Sequence, residues 1–319
     1  MAGPLTREQL EAAHCWEADD RVPGDPETTA LRRGLRHHQA VWRDAYKLPI
    51  GTQPILPRPG GADRPVGSRL PLVFAQDTAA NFVTPAAQAA ARARTSYVER
   101  HQSFDHQRWW ADLLWSPSLA VNLFGELAHD LARADRAVHT WWPDAPGTVA
   151  GVRFAHSPGR LDPSFLDSLR DFAAAFLLDR GDGTRAVIAV DVKYHDYFRR
   201  HIPKPEKRQR RREVAHGSGL FSDEVFESLD GSSPLCITWL EHLLLLSMLQ
   251  HESGGWTWGR YVVVYPAAHR AVAAGCAQYR HLLYDDATFK SMTIEDLLDS
   301  GAVSRRADAA LRDRYFPSD

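Results

Sequence analysis

Apolar residues recur three and four positions apart over much of the first 145 residues, whereas the later part of the chain contains short, continuous apolar runs. The first spacing is typical of helices that bury one face, and the second is typical of buried strands. We therefore expect a helical N-terminal half followed by a region of strands and helices. The predicted helices begin at residues that favour helix starts, namely Arg7 after Thr6, Pro26, Pro85 after Thr84, and Ser116.

Two helical stretches near the middle of the chain lead to their own predictions. The stretch from Ser103 to Trp115 is rich in aromatic residues. We interpret it as a packed helix and not as a surface that stacks nucleic-acid bases, because tryptophans at helical spacing are usually buried. The helix that begins at Ser116 has leucines four positions apart, which predict a core stripe at Leu119, Leu123, Leu127 and Leu131.

The second half of the chain has the pattern of a mixed sheet. Thr148 to His156 predicts a first strand, and Asp171 to Lys193 predicts a β-hairpin with a glycine-rich turn. A helix from Ser233 to about His251 follows, and Arg260 to Tyr265 predicts a fourth strand. A strand, a crossover helix and a further strand imply an α/β fold with a mixed central sheet flanked by helices.

The predicted hairpin brings acidic residues to its open end. Pairing about a turn centred on residue 181 or 182 places Asp171 across from Asp191, Val192 or Lys193. Side chains alternate along a strand, so Asp191 and Lys193 share a face, and an even register adds Asp171 to it. Opposed carboxylates repel unless a cation lies between them, and hard oxygen ligands suit Mg²⁺ or Mn²⁺. We expect a metal site at Asp171 and Asp191, with Lys193 stabilising negative charge on a phosphate.

The order of Asp171, a hairpin and Asp191-Val192-Lys193 resembles the signature of the PD-(D/E)XK nuclease superfamily, which has the restriction-endonuclease-like fold. Four phrases spread over the chain resemble a bacterial restriction-endonuclease-like branch: WRDAYKLPIG, NLFGELAHD, HLLLLSML and RYVVVYP. The resemblance implies an αβββαβ core in residues 103–319, with residues 1–102 as a helical N-terminal region packed on it. It also implies a metal-dependent nuclease that hydrolyses DNA in restriction or in defence against phages and plasmids.

The resemblance also suggests a further metal-binding acid on the helix before the sheet, and Glu126 is the candidate. An ordinary solvated helix glutamate is an equally good interpretation. In the helix after the sheet, Ile237 and Leu240 precede Glu241 and His242, where relatives place Gln and Arg. This difference keeps two alternatives open: a nuclease-like module that binds DNA or a partner without cleavage, and a nuclease that acts on RNA or on repair intermediates.

A basic block follows the predicted hairpin. The chain contains 38 basic and 40 acidic residues, so nucleic-acid binding requires a local positive patch. The run RRHIPKPEKRQRRR has a single acid, Glu206, and predicts a solvated loop that binds phosphates without regard to sequence. The candidate phosphate-binding residues are Arg199, Arg200, Lys204, Lys207, Arg208, Arg210, Arg211 and Arg212.

The three cysteines, Cys15, Cys236 and Cys276, are far apart and do not have the spacing of a zinc site. We interpret them as reduced thiols of a cytoplasmic protein. The sequence shows no signal peptide and no apolar run long enough to span a bilayer. The expected partner is DNA, and a homodimer or a partner protein from a defence system is an open alternative.

Overall fold

The computed structural model describes residues 5–53 and 63–317. Within those ranges, no helix is long and apolar enough to cross a membrane. The described helices are α1 Arg7–Ala12, α2 Pro26–Ala45, α3 Leu72–Thr78, α4 Pro85–Thr95, α5 His106–Ala111, α6 Ser116–His129, α7 Leu131–Trp141, α8 Arg208–Ser218, α9 Asp223–Ser232, α10 Cys236–Leu249, α11 Arg270–His281, α12 Ile294–Asp299 and α13 Arg305–Tyr315. The described strands are β1 Gly51–Gln53, β2 Arg64–Val66, β3 Thr148–His156, β4 Phe172–Asp179, β5 Arg185–Val192, β6 Trp256–Tyr265 and β7 Phe289–Thr293.

Strands β3 to β7 form one five-stranded sheet in the order β3-β4-β5-β6-β7. The strands β3, β4 and β5 pair antiparallel, and β6 and β7 continue the sheet parallel to β5. Helix α10 precedes β6 and packs on it, and α11 connects β6 to β7. The sheet is therefore mixed and flanked by helices, so the predicted α/β fold class is confirmed. The short strands β1 and β2 form a separate antiparallel ribbon.

The alternation of side chains along β5 distinguishes the two faces of the five-stranded sheet. Val187 belongs to a core that includes residues of α8, α9, α10 and α11. On the opposite face, Phe176 of β4 contacts the rings of Trp141 and Trp142 edge to face. Asp191 is an even number of residues from Val187, so it faces the same helices as Val187.

Helix α10 is buried on all sides. Twelve of its fourteen residues are buried, which is typical of a helix inside a core. Each of its fully buried leucines contributes about 2 kcal/mol of hydrophobic stabilisation. Glu241 and His242 are also buried in this helix. Ionisable groups in such surroundings are costly unless they have hydrogen-bond or charge partners.

The chain forms two compact units, and each unit combines separate segments. One comprises residues 1–95, 105–126 and 304–319, and the other comprises residues 96–104 and 127–303. This division differs from the boundary predicted between residues 102 and 103, because the end of the chain returns to the first unit. There α13 packs on α2, and the buried guanidinium of Arg314 donates a 2.5 Å hydrogen bond to Asn81 Oδ1.

The aromatic-rich stretch packs as the sequence predicts. Helix α5 lies within it, and its Trp109 and Trp110 are 0% and 4% exposed. Both rings pack around Phe82, with centroid separations of 5.9 and 5.6 Å. These tryptophans therefore belong to the core and are not available for stacking on nucleic-acid bases.

The leucine stripe predicted for α6 ends earlier than expected. Its first three leucines are buried, but Leu131 is 39% exposed. The reason is a local cap: the side chain of Asp130 accepts a 2.9 Å hydrogen bond from the backbone N–H of Arg133. Leu131 is consequently the first residue of α7 and not part of the last turn of α6.

Candidate active site

The hairpin of β4 and β5 forms with the glycine-containing turn that the sequence predicts. Its ladder pairs Ala174 with Val190. Gly181 and Gly183 in the turn have φ values of +75° and +82°, which residues with a side chain rarely adopt. Continued beyond the ladder, this register sets residue 171 opposite residue 193, one of the predicted pairings. The start of β4 and the end of β5 therefore lie at the same end of the sheet.

At that end, Asp191, Lys193, Glu241 and Tyr261 form a group that we call the acid–lysine cluster. Lys193 Nζ lies 2.5 Å from Asp191 Oδ2 and 4.0 Å from Glu241 Oε2. The Tyr261 hydroxyl donates a 2.8 Å hydrogen bond to Glu241 Oε2 and a 3.4 Å one to Asp191 Oδ2. Two carboxylates, one ammonium and one hydroxyl thus share a single site.

Three elements bring these groups together. In the parallel ladder, Tyr261 pairs with Ala189 and Val263 pairs with Asp191, so Tyr261 and Asp191 lie on the same face of the sheet. Helix α10 packs on β6 over that face and supplies Glu241. The cluster therefore depends on the hairpin, on the parallel pairing of β5 with β6, and on the position of α10.

Burial makes the charges of the acid–lysine cluster interdependent. Desolvation and the negative charge of Asp191 raise the pKa of Glu241, and the positive charges of Lys193 and Arg170 only partly oppose them. Burial also disfavours the charge of Lys193, but the carboxylates of Asp191, Glu241 and Asp196 raise its pKa above the ordinary value. Lys193 is therefore positively charged at neutral pH, and two acids compete for it.

His242, the neighbour of Glu241, is a neutral residue that positions Tyr261. Burial lowers the pKa of His242 to about 3. Its Nδ1 lies 2.9 Å from the Tyr279 hydroxyl, and its Nε2 lies 3.0 Å from Thr288 Oγ1. The imidazole stacks on the ring of Tyr261 with a centroid separation of 5.8 Å. Its contacts support the ring of Tyr261, whose hydroxyl in turn holds Glu241.

The oxygens of the acid–lysine cluster suit a hard divalent cation. Among residues 5–53 and 63–317, no group of three or more His, Cys, Asp or Glu side chains is arranged to hold a metal ion. Mg²⁺, however, takes only one or two carboxylates when substrate phosphate oxygens and waters complete its coordination. Asp191 and Glu241 hydrogen-bond to the same tyrosine hydroxyl and share one lysine. A cation beside them would relieve the repulsion that raises the pKa of Glu241.

Asp171 belongs to a second group of charges, which we call the Arg160 cluster. Its Oδ2 lies 2.6 Å from Arg160 Nη2, and its side chain is 41% exposed. The guanidinium of Arg160 is 2% exposed and also binds Glu99. Glu99 Oε1 in turn lies 2.9 Å from His156 Nδ1. In this cluster, each acid has a direct nitrogen partner.

The alternation of side chains breaks at the beginning of β4, next to Asp171. Ala174 pairs with Val190, so both lie on one face of the sheet. Phe172 would lie on that face by strict alternation, yet it packs in the core of Val187 on the other face. Asp171 thus lies at the predicted end of the sheet, but alternation does not fix its direction. Its role as a metal ligand stays a prediction.

Glu126 lies in the compact unit that does not contain the five-stranded sheet. Its Oε1 accepts a 2.6 Å hydrogen bond from Ser304 Oγ, and its Oε2 accepts a 3.0 Å hydrogen bond from the Ser304 backbone N–H. Ser304 is the N-cap of α13 and also accepts a hydrogen bond from the Ala307 N–H. Both carboxylate oxygens of Glu126 therefore support a helix start. Its role as a metal ligand stays a prediction.

The basic block is not the solvated loop that the sequence predicts, because much of it is helical. Its second half comprises a 3₁₀ turn, Pro205–Lys207, and the start of α8. Arg211 is only 3% exposed and lies 2.5 Å from Asp230. Other cations of the block also bind acids of this chain, with Lys207 at Asp167, Arg208 and Arg212 at Glu227, and Arg210 at Glu213. The exposed members are Arg199, Arg200 and Lys204.

The sequence did not identify Tyr261 or Arg170 as site residues, and Glu241 entered only through the comparison with relatives. Arg170 Nη1 lies 4.0 Å from Glu241 Oε1. The sequence does mark Glu241, because an acid inside an apolar helical run is costly unless it has partners or a function. It does not mark Tyr261 in this way, because the position of Tyr261 opposite Ala189 follows from the parallel register.

Nearly the whole chain matches a known family model. Residues 24–317 match the model described as the PD-(D/E)XK nuclease superfamily. No curated protein and no solved structure gave a significant match. The matched region contains the mixed sheet and every residue of the acid–lysine cluster. The family predicted from the sequence is therefore confirmed, and this chain belongs to the PD-(D/E)XK nuclease superfamily.

Proposed function

We propose that this protein is a divalent-metal-dependent nuclease that hydrolyses phosphodiester bonds of DNA at the acid–lysine cluster. The supporting observation is the largely buried arrangement of Asp191, Lys193 and Glu241 at the end of β5. Two buried acids that share one lysine are unfavourable for folding alone. Groups with raised pKa values, such as Glu241 and Lys193, are typical of catalytic sites, and superfamily membership supports phosphodiester hydrolysis as the chemistry.

Asp191 and Glu241 would hold Mg²⁺ or Mn²⁺, and we propose Asp171 as a further ligand from the neighbouring strand. When bound, the cation polarises the phosphate and lowers the pKa of the attacking water. Lys193 keeps its proton because its pKa is raised, so it donates hydrogen bonds to a phosphate oxygen and does not act as a general base. Tyr261 holds Glu241 through its 2.8 Å hydrogen bond.

Exposed cations that follow the site in the chain support a nucleic-acid substrate, and the resemblance to restriction-endonuclease-like proteins supports DNA. Arg199, Arg200 and Lys204 are exposed and come shortly after Lys193. Cations of this kind neutralise phosphates without reading sequence, and their contribution falls with added salt. The proposal extends to restriction or phage and plasmid defence in the cytoplasm, which the sequence phrases of the resemblance support. The buried, free cysteines fit a reducing compartment.

The test is cleavage of supercoiled and linear DNA with Mg²⁺, with Mn²⁺ and with a chelator. The wild type is compared with Asp191→Asn and Lys193→Met, and with the control Glu252→Gln. Glu252 is an exposed acid just beyond α10. We expect metal-dependent cleavage that is lost in Asp191→Asn and Lys193→Met and retained in the control. Thermal unfolding of each variant separates loss of chemistry from loss of fold.

Two other outcomes would change the proposed function. If the wild type cleaves neither DNA nor RNA, and salt-sensitive binding survives both substitutions, the protein is a nucleic-acid-binding module without nuclease activity. If the wild type cleaves RNA but not DNA, the proposed active site is retained and the proposed substrate becomes RNA.

A further inference from the structure

A cavity of about 370 Å³ lies on the sheet face that bears the acid–lysine cluster, and it reaches from Arg185 at the start of β5 to His156 at the end of β3. Arg185 begins β5 and lines the cavity, whereas Asp191 lies close to the end of the strand. The two residues are an even number of positions apart, so they share a face. At the rise of an extended strand, they are roughly 20 Å apart. Arg185 is therefore far from the acid–lysine cluster, whereas Glu99 and His156 of the lining belong to the Arg160 cluster that also holds Asp171.

Aromatic rings and cationic side chains line this cavity. Arg185 lies over the ring of Trp256, with Cζ 4.1 Å from the ring centroid. Phe165 is stacked on His251 with a centroid separation of 4.5 Å, which holds the phenyl ring in place. The lining residues that matter for recognition are Tyr97, Phe165, Trp256, Arg153, His156 and Arg185.

The charge of the lining favours an anionic ligand. Glu99 is also part of the lining, but its carboxylate already binds Arg160 and His156. Arg153 and Arg185 are exposed on the strands β3 and β5. Guanidinium groups bind phosphate oxygens in a planar, bidentate manner, and aromatic side chains stack on nucleobases of any identity. A ligand that satisfies both features has a flat aromatic part and a phosphate.

We propose that the cavity binds a nucleotide, with its base against Trp256 and Tyr97 and its phosphate at Arg153 and Arg185. The ligand is either a free nucleotide or a nucleotide of the bound DNA strand. The second of these two sources rests on the proposed nuclease function. At 3.4 Å per nucleotide along a duplex strand, roughly 20 Å corresponds to about six nucleotides. A strand cleaved at the acid–lysine cluster would thus reach Arg185 about six nucleotides away.

The test measures binding in the presence of a chelator, so that no cleavage occurs. The probes are deoxyadenosine monophosphate, inorganic phosphate and a labelled single-stranded oligonucleotide, with calorimetry for the first two and fluorescence anisotropy for the third. Arg185→Gln and Trp256→Ala should each weaken nucleotide binding by about tenfold. Trp256→Phe should restore most of the affinity, because a ring is kept. Arg136→Gln, an exposed arginine on α7, is the matched control and should bind as the wild type does.

The outcomes distinguish a free nucleotide from a nucleotide of the DNA strand, and they test the nucleotide site separately from the proposed nuclease function. Equal losses for oligonucleotide and mononucleotide identify a strand nucleotide, whereas a loss confined to the mononucleotide identifies a free one. The proposal is overturned if phosphate binds as tightly as the nucleotide, or if folded Arg185→Gln and Trp256→Ala bind the nucleotide normally. Asp191→Asn should leave nucleotide binding unchanged while it abolishes cleavage in Mg²⁺. If the protein binds the nucleotide but never cleaves DNA, the proposed nuclease function is refuted and the proposed nucleotide site is retained.

Discussion

Glu99 and Glu241 are both glutamates beside cationic side chains, yet their pKa values move in opposite directions. Partial burial of Glu99 is outweighed by the hydrogen bonds and charges of His156 and Arg160, which lower its pKa to about 2. For Glu241, burial and the charge of Asp191 prevail, and they raise its pKa. The residue type is the same, so the difference comes from the surroundings.

The contact distances explain this difference. Glu99 contacts the guanidinium of Arg160 directly and lies 2.9 Å from His156 Nδ1. Glu241 accepts a 2.8 Å hydrogen bond from the Tyr261 hydroxyl and also hydrogen-bonds to a second acid, Asp191, whereas the nitrogens of Lys193 and Arg170 are 4.0 Å away. The Arg160 cluster is thus satisfied within the protein, whereas the acid–lysine cluster retains capacity for a cation. We assign structural stabilisation to Glu99 and chemistry to the acid–lysine cluster, to which Asp171 is proposed to add a ligand.

The largest expected effect is loss of cleavage at the acid–lysine cluster. Lys193→Met should reduce the cleavage rate by about 10² to 10³-fold, because it removes a fixed positive charge beside the developing phosphate charge. Asp191→Asn should cost at least as much, since it removes an anionic metal ligand. Single-turnover cleavage with saturating Mg²⁺ measures the rates of both variants. Rates within a few fold of wild type would place the chemistry elsewhere.

Glu99→Gln should lower the free energy of unfolding by about 2 kcal/mol at pH 7, after a discount for solvent screening. Because the pKa of Glu99 is lower in the folded protein than its ordinary 4.5, its contribution is fully present above about pH 4.5. That contribution is lost as the pH falls through about 2. Urea unfolding at a series of pH values measures the difference from wild type. A difference that does not shrink with acid would mean that Glu99 is not stabilised as an anion.

Tyr261→Phe should destabilise the protein by about 1 kcal/mol, because Glu241 loses its close hydrogen-bond donor. The ring and its stacking on His242 are kept, so packing changes little. Tyr284→Phe is the control, since Tyr284 is 73% exposed. Chemical unfolding of both variants gives the comparison. Equal stabilities would show that the hydroxyl does not support Glu241.

The smallest expected effect is on the salt dependence of DNA binding. Arg199→Gln and Arg200→Gln should each reduce the slope of log affinity against log salt by about one. Arg136→Gln, at an exposed arginine on α7, should leave the slope unchanged. Binding titrations with chelator at several salt concentrations provide the slopes. Identical slopes for all variants would exclude the exposed part of the basic block from the DNA interface.

Local signals in the sequence were sufficient for β3, for the hairpin and for the second half of β6, whereas β1, β2 and β7 were not predicted. The glycines of the turn set the register, and with it the position of Asp191 and Lys193 at one end of the sheet. The family resemblance depended on the same residues, and the family match covers them.

The features that could not be predicted depend on contacts between residues that are far apart in the sequence. The basic block forms a helix because Glu227 and Asp230 of α9 neutralise its arginines, and the block itself contains no hint of them. Tyr261 meets Glu241 only through the parallel pairing of β5 with β6. Similarly, Arg314 joins the end of the chain to the N-terminal segments through contacts that no local pattern indicates.

The most direct test of this contrast measures cleavage and thermal unfolding in parallel for Glu241→Gln and Glu99→Gln. We predict that Glu241→Gln loses cleavage by about 10²-fold or more and unfolds at or above the wild-type temperature, because it removes a buried carboxyl whose ionisation is disfavoured in the folded protein. Glu99→Gln should show the opposite result, with cleavage within a few fold of wild type and a lower unfolding temperature. Glu241→Gln that cleaves normally, or that loses cleavage only together with its fold, would contradict the assignment of chemistry to the acid–lysine cluster.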